Sequence, residues 1–273
     1  MRELQRRLIQ AFGLAAFMLS SGCAVKPLDL NIASQGSKLK PVAVKTTKFT
    51  IQTLQPSSVE GKVLRVYVEG DGRAWITSRS ASDDPTPIKS FAPSFAINDT
   101  KPSVYMARPC QYILGPNCKK SVWTSGRFSE ENVKAESEVL DALKSQYGLQ
   151  GFELVGYSGG AAIALLLAAY RTDVVQVQTI AGNLDPQAWT QLKRIAALDG
   201  SLNPVDFADT LAKLPQRHFI GMSDTVVPAE VSQLYMLKVQ PLCGETVFVD
   251  ADHQSGFEDS WKLSRNKPVK CER

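Results

Sequence analysis

The run Gly156-Tyr157-Ser158-Gly159-Gly160 places a serine between glycines where a strand is predicted to meet a helix. The mostly apolar residues 152–155 before it predict a buried strand, and the Ala- and Leu-rich residues 161–170 after it predict a buried helix. A Gly-x-Ser-x-Gly turn between such elements holds its serine in a strained, exposed corner. The helix N-terminus then directs free N–H groups at any anion that forms there. Ser158 is therefore a candidate nucleophile.

A serine hydroxyl attacks at neutral pH only when a base lies within hydrogen-bond reach. The sequence contains two histidines, His218 and His253. His218 precedes the predicted strand 219–222 and is therefore expected at its amino end, whereas His253 follows the predicted last strand, 246–249. Because the sites of parallel sheets gather at the carboxyl ends of strands, His253 is the predicted base.

A carboxylate on a third strand end must orient the imidazole and stabilise its cation. Asp224 directly follows a predicted strand and is the first candidate, and Asp185 is its competitor. Asp252 is too close in sequence to His253 for this role and is expected to shape the turn that carries the histidine. The order Ser158, Asp224, His253 draws on three separate strand ends, which favours this set.

Strand and helix patterns alternate along the chain and must position these three side chains. A helix is predicted from its cap at Ser129 to about residue 146. Residues 184–214 carry helical fragments, which form either a small lid or a pair of packing helices. The alternation predicts an α/β fold with a mostly parallel central sheet and helices on both faces. The predicted strands are 63–68, 103–107, 152–155, 174–180, 219–222 and 246–249.

The chain resembles the α/β-hydrolase superfamily over roughly residues 60–262. The resemblance rests on the serine turn, on Gly221-Met222-Ser223-Asp224-Thr225-Val226-Val227-Pro228 and on Ala251-Asp252-His253. It implies an α/β-hydrolase fold, with oxyanion N–H donors from Gly159 and from the turn after the strand 63–68. Where the superfamily often has His-Gly, this chain has Glu69-Gly70-Asp71-Gly72. The second donor is accordingly expected at Asp71, with Gly72 as the other candidate. The alternative is that Gly70 and Gly72 only form a tight turn.

The segment Arg108-Pro109-Cys110-Gln111-Tyr112 follows a predicted strand at the same end of the sheet and is expected to wall the pocket. Together with the Glu-Gly-Asp-Gly turn, it makes the chain similar to a group of little-characterised bacterial envelope hydrolases. Trp123, Arg127 and Phe128 either extend this wall or pack in the core.

Length and composition fit one globular α/β domain. The chain has 273 residues, of which 44% are hydrophobic and 21% charged, and its net charge is only +4. No basic stripe accompanies this small charge, so nucleic acid is not an expected partner.

The N-terminus carries targeting features. A basic start with Arg2, Arg6 and Arg7 precedes the apolar residues 8–19, which are too few to span a bilayer. Ser20-Ser21-Gly22-Cys23 resembles the lipobox of bacterial lipoproteins, although its leucine stands one place early, at Leu19. The resemblance implies cleavage before Cys23 and a diacylglyceryl group on its sulfur. The alternative is an ordinary signal peptide cut elsewhere.

The chain therefore divides into a signal peptide (1–22), a lipid-anchored tether (23–48) and a hydrolase domain (49–273). Residues 24–48 are polar, contain prolines and lack a sustained period, which indicates a tether. The expected location is the bacterial cell envelope, facing the periplasm and attached to the outer membrane.

Four further cysteines are an even number in an oxidising compartment and permit three pairings. Cys110 and Cys118 bracket the turn signal Gly115-Pro116-Asn117, which favours a bond between them and leaves Cys243 to pair with Cys271. The alternative is four free buried thiols. Because the chain has no CxxC motif and only two histidines, we predict no metal.

The predicted function is hydrolysis of carboxylic esters or thioesters through an acyl-enzyme on Ser158, without metal or organic cofactor. The expected partners are a small-molecule or lipid-like acyl substrate and, through the lipid anchor, a membrane. An amidase or peptidase of the same fold is one alternative. A non-catalytic envelope protein that uses the fold for binding or assembly is the other.

Overall fold

The structure is a computed structural model that describes residues 26–271. Ten strands are found within these residues: β1 (Leu39–Lys45), β2 (Thr50–Pro56), β3 (Val63–Val68), β4 (Trp75–Thr77), β5 (Ser80–Ala81), β6 (Ser103–Met106), β7 (Gly151–Tyr157), β8 (Val174–Ile180), β9 (Gln216–Gly221) and β10 (Gly244–Val249). Eight of these described strands form one sheet, in the order β1-β2-β6-β3-β7-β8-β9-β10. β4 and β5 form a separate hairpin.

Helices connect the strands. Within residues 26–271 they are α1 (Leu30–Ala33), α2 (Ala92–Ile97), α3 (Lys120–Trp123), α4 (Glu130–Tyr147), α5 (Gly159–Tyr170), α6 (Pro186–Lys193), α7 (Ala208–Leu211), α8 (Ala229–Val239) and α9 (Glu258–Ser264), with a 3₁₀ turn at Pro204–Phe207. The predicted cap of α4 is present, because Ser129 accepts a hydrogen bond from the Asn132 N–H. Gly148 ends this helix in the left-handed conformation.

The sheet is mostly parallel. β6, β3, β7, β8, β9 and β10 run in one direction, and only β2 and β1 at one edge are antiparallel to their neighbours. α4, α5 and α8 contribute to the apolar cluster on one face, whereas α2 and α9 contribute to the cluster on the other. The predicted mostly parallel sheet with helices on both faces is confirmed.

The segment assigned to the tether contains regular structure that the sequence analysis missed. Leu30 of α1 and Leu39 of β1 are buried, and β1 pairs with β2 along its whole length. The error has a physical reason: β1 is an edge strand whose outer residues are exposed, and such a strand tolerates both polar side chains and Pro41. The folded domain therefore begins before residue 49.

Cysteine pairing follows the prediction. Cys110 is bonded to Cys118 and Cys243 to Cys271. Cys23 and the predicted signal peptide lie outside the described residues. Within residues 26–271, no helix is both long and apolar enough to cross a membrane.

Candidate active site

Ser158 stands at the junction of β7 and α5 in a strained conformation. Its φ of 52° and ψ of −122° lie where a residue with a side chain is rarely found. The Ser158 N–H donates to Ile180 O over 3.0 Å, and Ser158 O accepts from the Asn183 N–H over 3.0 Å. A Cβ on Gly160 would collide with the carbonyl oxygens of Val68 and Glu69, so glycine there lets α5 approach the end of β3.

The three residues predicted from strand ends meet at the carboxyl edge of the sheet. His253 Nε2 lies 3.0 Å from Ser158 Oγ, and His253 Nδ1 lies 2.7 Å from Asp224 Oδ2. Both distances are within hydrogen-bond range. The arrangement is a continuous chain from hydroxyl to imidazole to carboxylate.

The aspartate and the histidine are each held in place by contacts of their own loops. The Asp224 side chain is almost fully buried, and its Oδ1 accepts from the N–H groups of Val226 and Val227 at 2.8 and 2.9 Å. The Tyr157 hydroxyl donates to His253 O over 3.0 Å and thereby ties the histidine loop to β7. Asp252 accepts from the Gln254 N–H over 2.7 Å, and so shapes the turn as expected.

The two competing residues have other surroundings. His218 lies inside β9, rather than before it, because the strand begins at Gln216. It is fully buried, with Nδ1 2.8 Å from Thr179 Oγ1, and burial lowers its pKa to about 3. Asp185 caps α6 by accepting from the Ala188 N–H over 3.0 Å and forms an ion pair with Lys238.

The turn after β3 is fixed by a buried carboxylate. Glu69 accepts from the Gly70 N–H over 2.8 Å, from Ser90 Oγ over 2.6 Å and from the Tyr105 hydroxyl over 2.9 Å. Burial raises the pKa of Glu69. A Cβ added to Gly70 would lie 3.1 Å from Ser158 Cβ, so the turn runs close beside the serine. Glu69 therefore holds the turn after β3 in place.

Asp71, in the turn after β3, faces Gly159, the first residue of α5. Within residues 26–271, neither the Asp71 N–H nor the Gly159 N–H donates to a protein acceptor. The Asp71 carboxylate occupies the space that a Cβ on Gly159 would need. Two free N–H groups beside the serine suit an oxygen anion. Gly72 follows with a φ of 61°, in the left-handed region that favours glycine.

Two buried arginines neutralise the Asp71 carboxylate. Arg127 Nη1 lies 2.5 Å from Asp71 Oδ2, and Arg108 Nη1 lies 3.4 Å from Oδ1. Arg108 also contacts Arg127 O and pairs through Nε with Glu136 over 2.8 Å. Burial raises the pKa of Glu136 to about 7.

The segment 108–112 supports the turn from behind, which corrects the prediction that it walls the pocket. Gln111 Nε2 donates to Gly70 O over 3.0 Å, and Arg108 is buried. Trp123 and Phe128 are buried in the core, which leaves Arg127 as the one member of the predicted wall extension that borders the described cleft. A buried ion-pair network leaves no periodic pattern, so it could not be predicted from the sequence.

A cleft of about 310 Å³ opens over Ser158. Half of its lining residues were not singled out for a site from the sequence: Ala74, Trp75, Pro87, Lys89, Asn183, Trp189, Val226, Val227 and Gln254. Asn183 is buried, and its Oδ1 has no protein partner within the described residues. Trp189 is on α6, and Leu198 and Leu202 further along the 184–214 segment pack against the core.

Comparisons with known proteins bear on the fold. No protein-family model and no curated protein sequence matches the chain. Among solved structures, an esterase from Pyrococcus furiosus superposes with a TM-score of 0.63 at 13% identity, covering 89% of this chain and 92% of its own. An α/β serine hydrolase homologue from Coxiella burnetii gives a TM-score of 0.50 at 15% identity, covering 83% of this chain and 93% of its own. The thioesterase domain from the curacin biosynthetic pathway gives a TM-score of 0.51 at 11% identity, covering 83% of this chain and 98% of its own.

The chain has the α/β-hydrolase fold. In the α/β-hydrolase fold, a serine on the strand-to-helix turn is followed along the chain by an acid and then by a histidine. Ser158, Asp224 and His253 occur in that order. At these low identities the likeness is one of fold, and the chemistry must be argued from the site itself.

Proposed function

We propose that the protein is a serine hydrolase that cleaves carboxylic esters or thioesters through an acyl-enzyme. The observation that carries the proposal is the hydrogen-bonded chain Ser158–His253–Asp224 at the floor of an open cleft. The free N–H groups of Asp71 and Gly159 beside it support the same chemistry.

In the first half of the reaction, Ser158 Oγ attacks the carbonyl carbon while His253 Nε2 takes the hydroxyl proton. Asp224 holds His253 through Nδ1 and stabilises the imidazolium. The carbonyl oxygen becomes an anion that accepts from the N–H groups of Gly159 and Asp71. When the tetrahedral intermediate collapses, the bond to the leaving group breaks, and the departing alcohol or thiol takes the proton from His253.

In the second half, water attacks the acyl carbon and His253 takes its proton. Collapse then breaks the bond to Ser158 Oγ, which recovers the proton from His253, and the carboxylic acid leaves. Esters and thioesters are favoured over amides because their leaving groups need less assistance. An esterase and a thioesterase domain are also among the proteins that share the fold. Rates on matched ester and amide substrates separate the two classes.

A fluorophosphonate probe tests the nucleophile. The folded wild-type protein should be labelled at one site, Ser158→Ala should not be labelled, and Ser94→Ala, which changes an exposed serine on α2, should be labelled normally. Absence of labelling in folded wild-type protein contradicts the acyl-enzyme and favours a non-catalytic binding protein.

The proposal extends to location: Cys23 carries a diacylglyceryl anchor that holds the protein in the cell envelope, facing the periplasm on the outer membrane. The basic and apolar start of the chain and the small residues before Cys23 support this assignment. Detergent partitioning tests it. Wild-type protein should enter the detergent phase and Cys23→Ala should not, whereas partition of the wild type into the aqueous phase contradicts the anchor.

A further inference from the structure

The first described residues of the chain are fastened beside the cleft. The Leu28 N–H donates to Pro87 O over 2.8 Å, and Pro87 borders the cleft. Leu30 is buried in the core, and Asp29 caps α1 by accepting from the N–H groups of Asn31 and Ile32. The start of the described chain is therefore attached to a residue of the cleft wall.

The distance from this attachment point to Cys23 is short. Cys23 precedes Leu28 by five residues, which span at most about 18 Å even when fully extended. A lipid on the Cys23 sulfur would therefore keep the mouth of the cleft close to the bilayer surface.

The cleft rim carries exposed apolar side chains on two sides. Trp75 and Ile76 belong to the β4–β5 hairpin, Ile88 lies in sequence between two residues that line the cleft, and Val226 lines the cleft itself. These four residues, called here the rim cluster, are each between 41% and 52% exposed. Grouped exposed apolar side chains mark interaction sites, whereas single ones need no explanation.

The chemistry around the rim cluster favours a lipid surface as its occupant. Tryptophan is enriched at membrane interfaces because its ring is apolar and its N–H is polar. Exposed basic residues flank the cluster at Arg79, Lys89 and Lys193, with Asp252 as an acidic neighbour. Basic side chains beside an apolar group suit anionic phospholipid headgroups.

We propose that the rim cluster docks on the bilayer surface, so that the cleft opens onto the membrane and takes the acyl esters of membrane lipids. The proposal rests on the proposed serine hydrolase function and on the Cys23 anchor, and it adds an orientation and a substrate class. The short attachment between Leu28 and the anchor holds the enzyme at its substrate, which raises the local substrate concentration without requiring a tight docking contact.

Tryptophan fluorescence tests the orientation directly. Of the four tryptophans, Trp123 and Trp261 are buried, whereas Trp75 is exposed in the rim cluster and Trp189 borders the cleft. Full-length protein is placed in vesicles of phosphatidylethanolamine and phosphatidylglycerol whose acyl chains are brominated. Bromine should quench the wild-type emission, and Trp75→Phe should lose most of that quenching.

Substitutions in the rim cluster test the substrate class. Ile76→Asp and Ile88→Asp should slow hydrolysis of vesicle phospholipid by about tenfold and leave a soluble short-chain ester within about twofold, because the charge opposes burial in the interface. The control is Val175→Asp, which changes a similarly exposed apolar residue near the amino end of β8, away from the cleft.

The outcomes separate the two proposals. Unquenched emission from wild-type protein bound to vesicles, or an equal loss of vesicle hydrolysis in Val175→Asp, overturns the docking while the soluble ester assay still reports an active enzyme. Failure to hydrolyse soluble esters, together with no fluorophosphonate labelling, overturns the proposed function instead.

Discussion

The Asp71 carboxylate lies against Gly159, in the space that a Cβ on this glycine would occupy. A negative charge thus stands beside the N–H groups that are proposed to stabilise a developing anion. Arg127 and Arg108 offset it from behind. The charge balance of the site therefore depends on residues that do not belong to the serine–histidine–aspartate set.

Removal of the Arg127 guanidinium should weaken the stabilisation of the transition state more than it weakens substrate binding. Without it, the Asp71 carboxylate repels the oxyanion, and we expect Arg127→Leu to lower kcat by about 10- to 100-fold with a smaller change in KM. The measurement is steady-state kinetics on a soluble ester. Arg171→Leu is the matched control, because it breaks an ion pair with Asp173 away from the described cleft.

A double variant makes this prediction specific. Neutralising the carboxylate in Asp71→Asn/Arg127→Leu should recover part of the kcat lost in Arg127→Leu, because the unpaired charge is gone. A double variant that loses activity additively would show that Arg127 acts only through packing.

Asp224→Asn should lower kcat by about 10³- to 10⁴-fold and leave the fold intact, because an amide at that position favours the wrong histidine tautomer. Asp185→Asn gives the contrasting result. It weakens the cap of α6 and the ion pair with Lys238, and should lower the free energy of unfolding without abolishing turnover. Equal kinetic losses in both variants would argue against Asp224 as the partner of His253.

Burial of neutral His218 should make the protein less stable in acid. Burial lowers the folded-state pKa of His218 to about 3, whereas an unfolded histidine titrates near 6.5. As pH falls from 6.5 toward 3, only the unfolded state gains the proton, so unfolding is favoured. Protonation of His218 in the unfolded state lowers the free energy of unfolding by about 3 kcal/mol between pH 7 and pH 4.

Urea denaturation at several pH values measures this effect. His218→Asn should show a shallower loss of unfolding free energy between pH 7 and pH 4 than the wild type, and it should keep its esterase activity at pH 7.5. An unchanged slope would remove His218 as the cause, and loss of activity in a folded variant would reopen its role in the chemistry.

Leu39→Ala should lower the free energy of unfolding by about 2–3 kcal/mol, because Leu39 is buried against the core of the sheet. Val42→Ala, at an exposed position on the same strand, should cost less than about 0.5 kcal/mol. Denaturant unfolding compares the two. If both substitutions have a negligible effect on the free energy of unfolding, residues 39–45 belong to the tether.

The three catalytic candidates could be predicted from the sequence, because their order and the position of each after a strand follow from the order of the strands along the chain. The central strands could be predicted because they are rich in β-branched and apolar residues, as Val63–Val68 shows despite Arg65. β1 was missed because only Leu39 of this edge strand is buried, so the strand shows no alternation of apolar and polar residues. Trp75 and Trp189 could not be predicted as cleft residues. The sequence around a tryptophan does not show whether its side chain lines a cleft or packs in the core.

The central claim is that Ser158 carries the acyl group during turnover. The direct measurement is mass spectrometry of protein quenched in acid during the burst phase with an activated ester. We expect an acyl adduct on the peptide that contains Ser158, with no adduct and no turnover in Ser158→Ala. Acylation at another residue, or full turnover by Ser158→Ala, would contradict it.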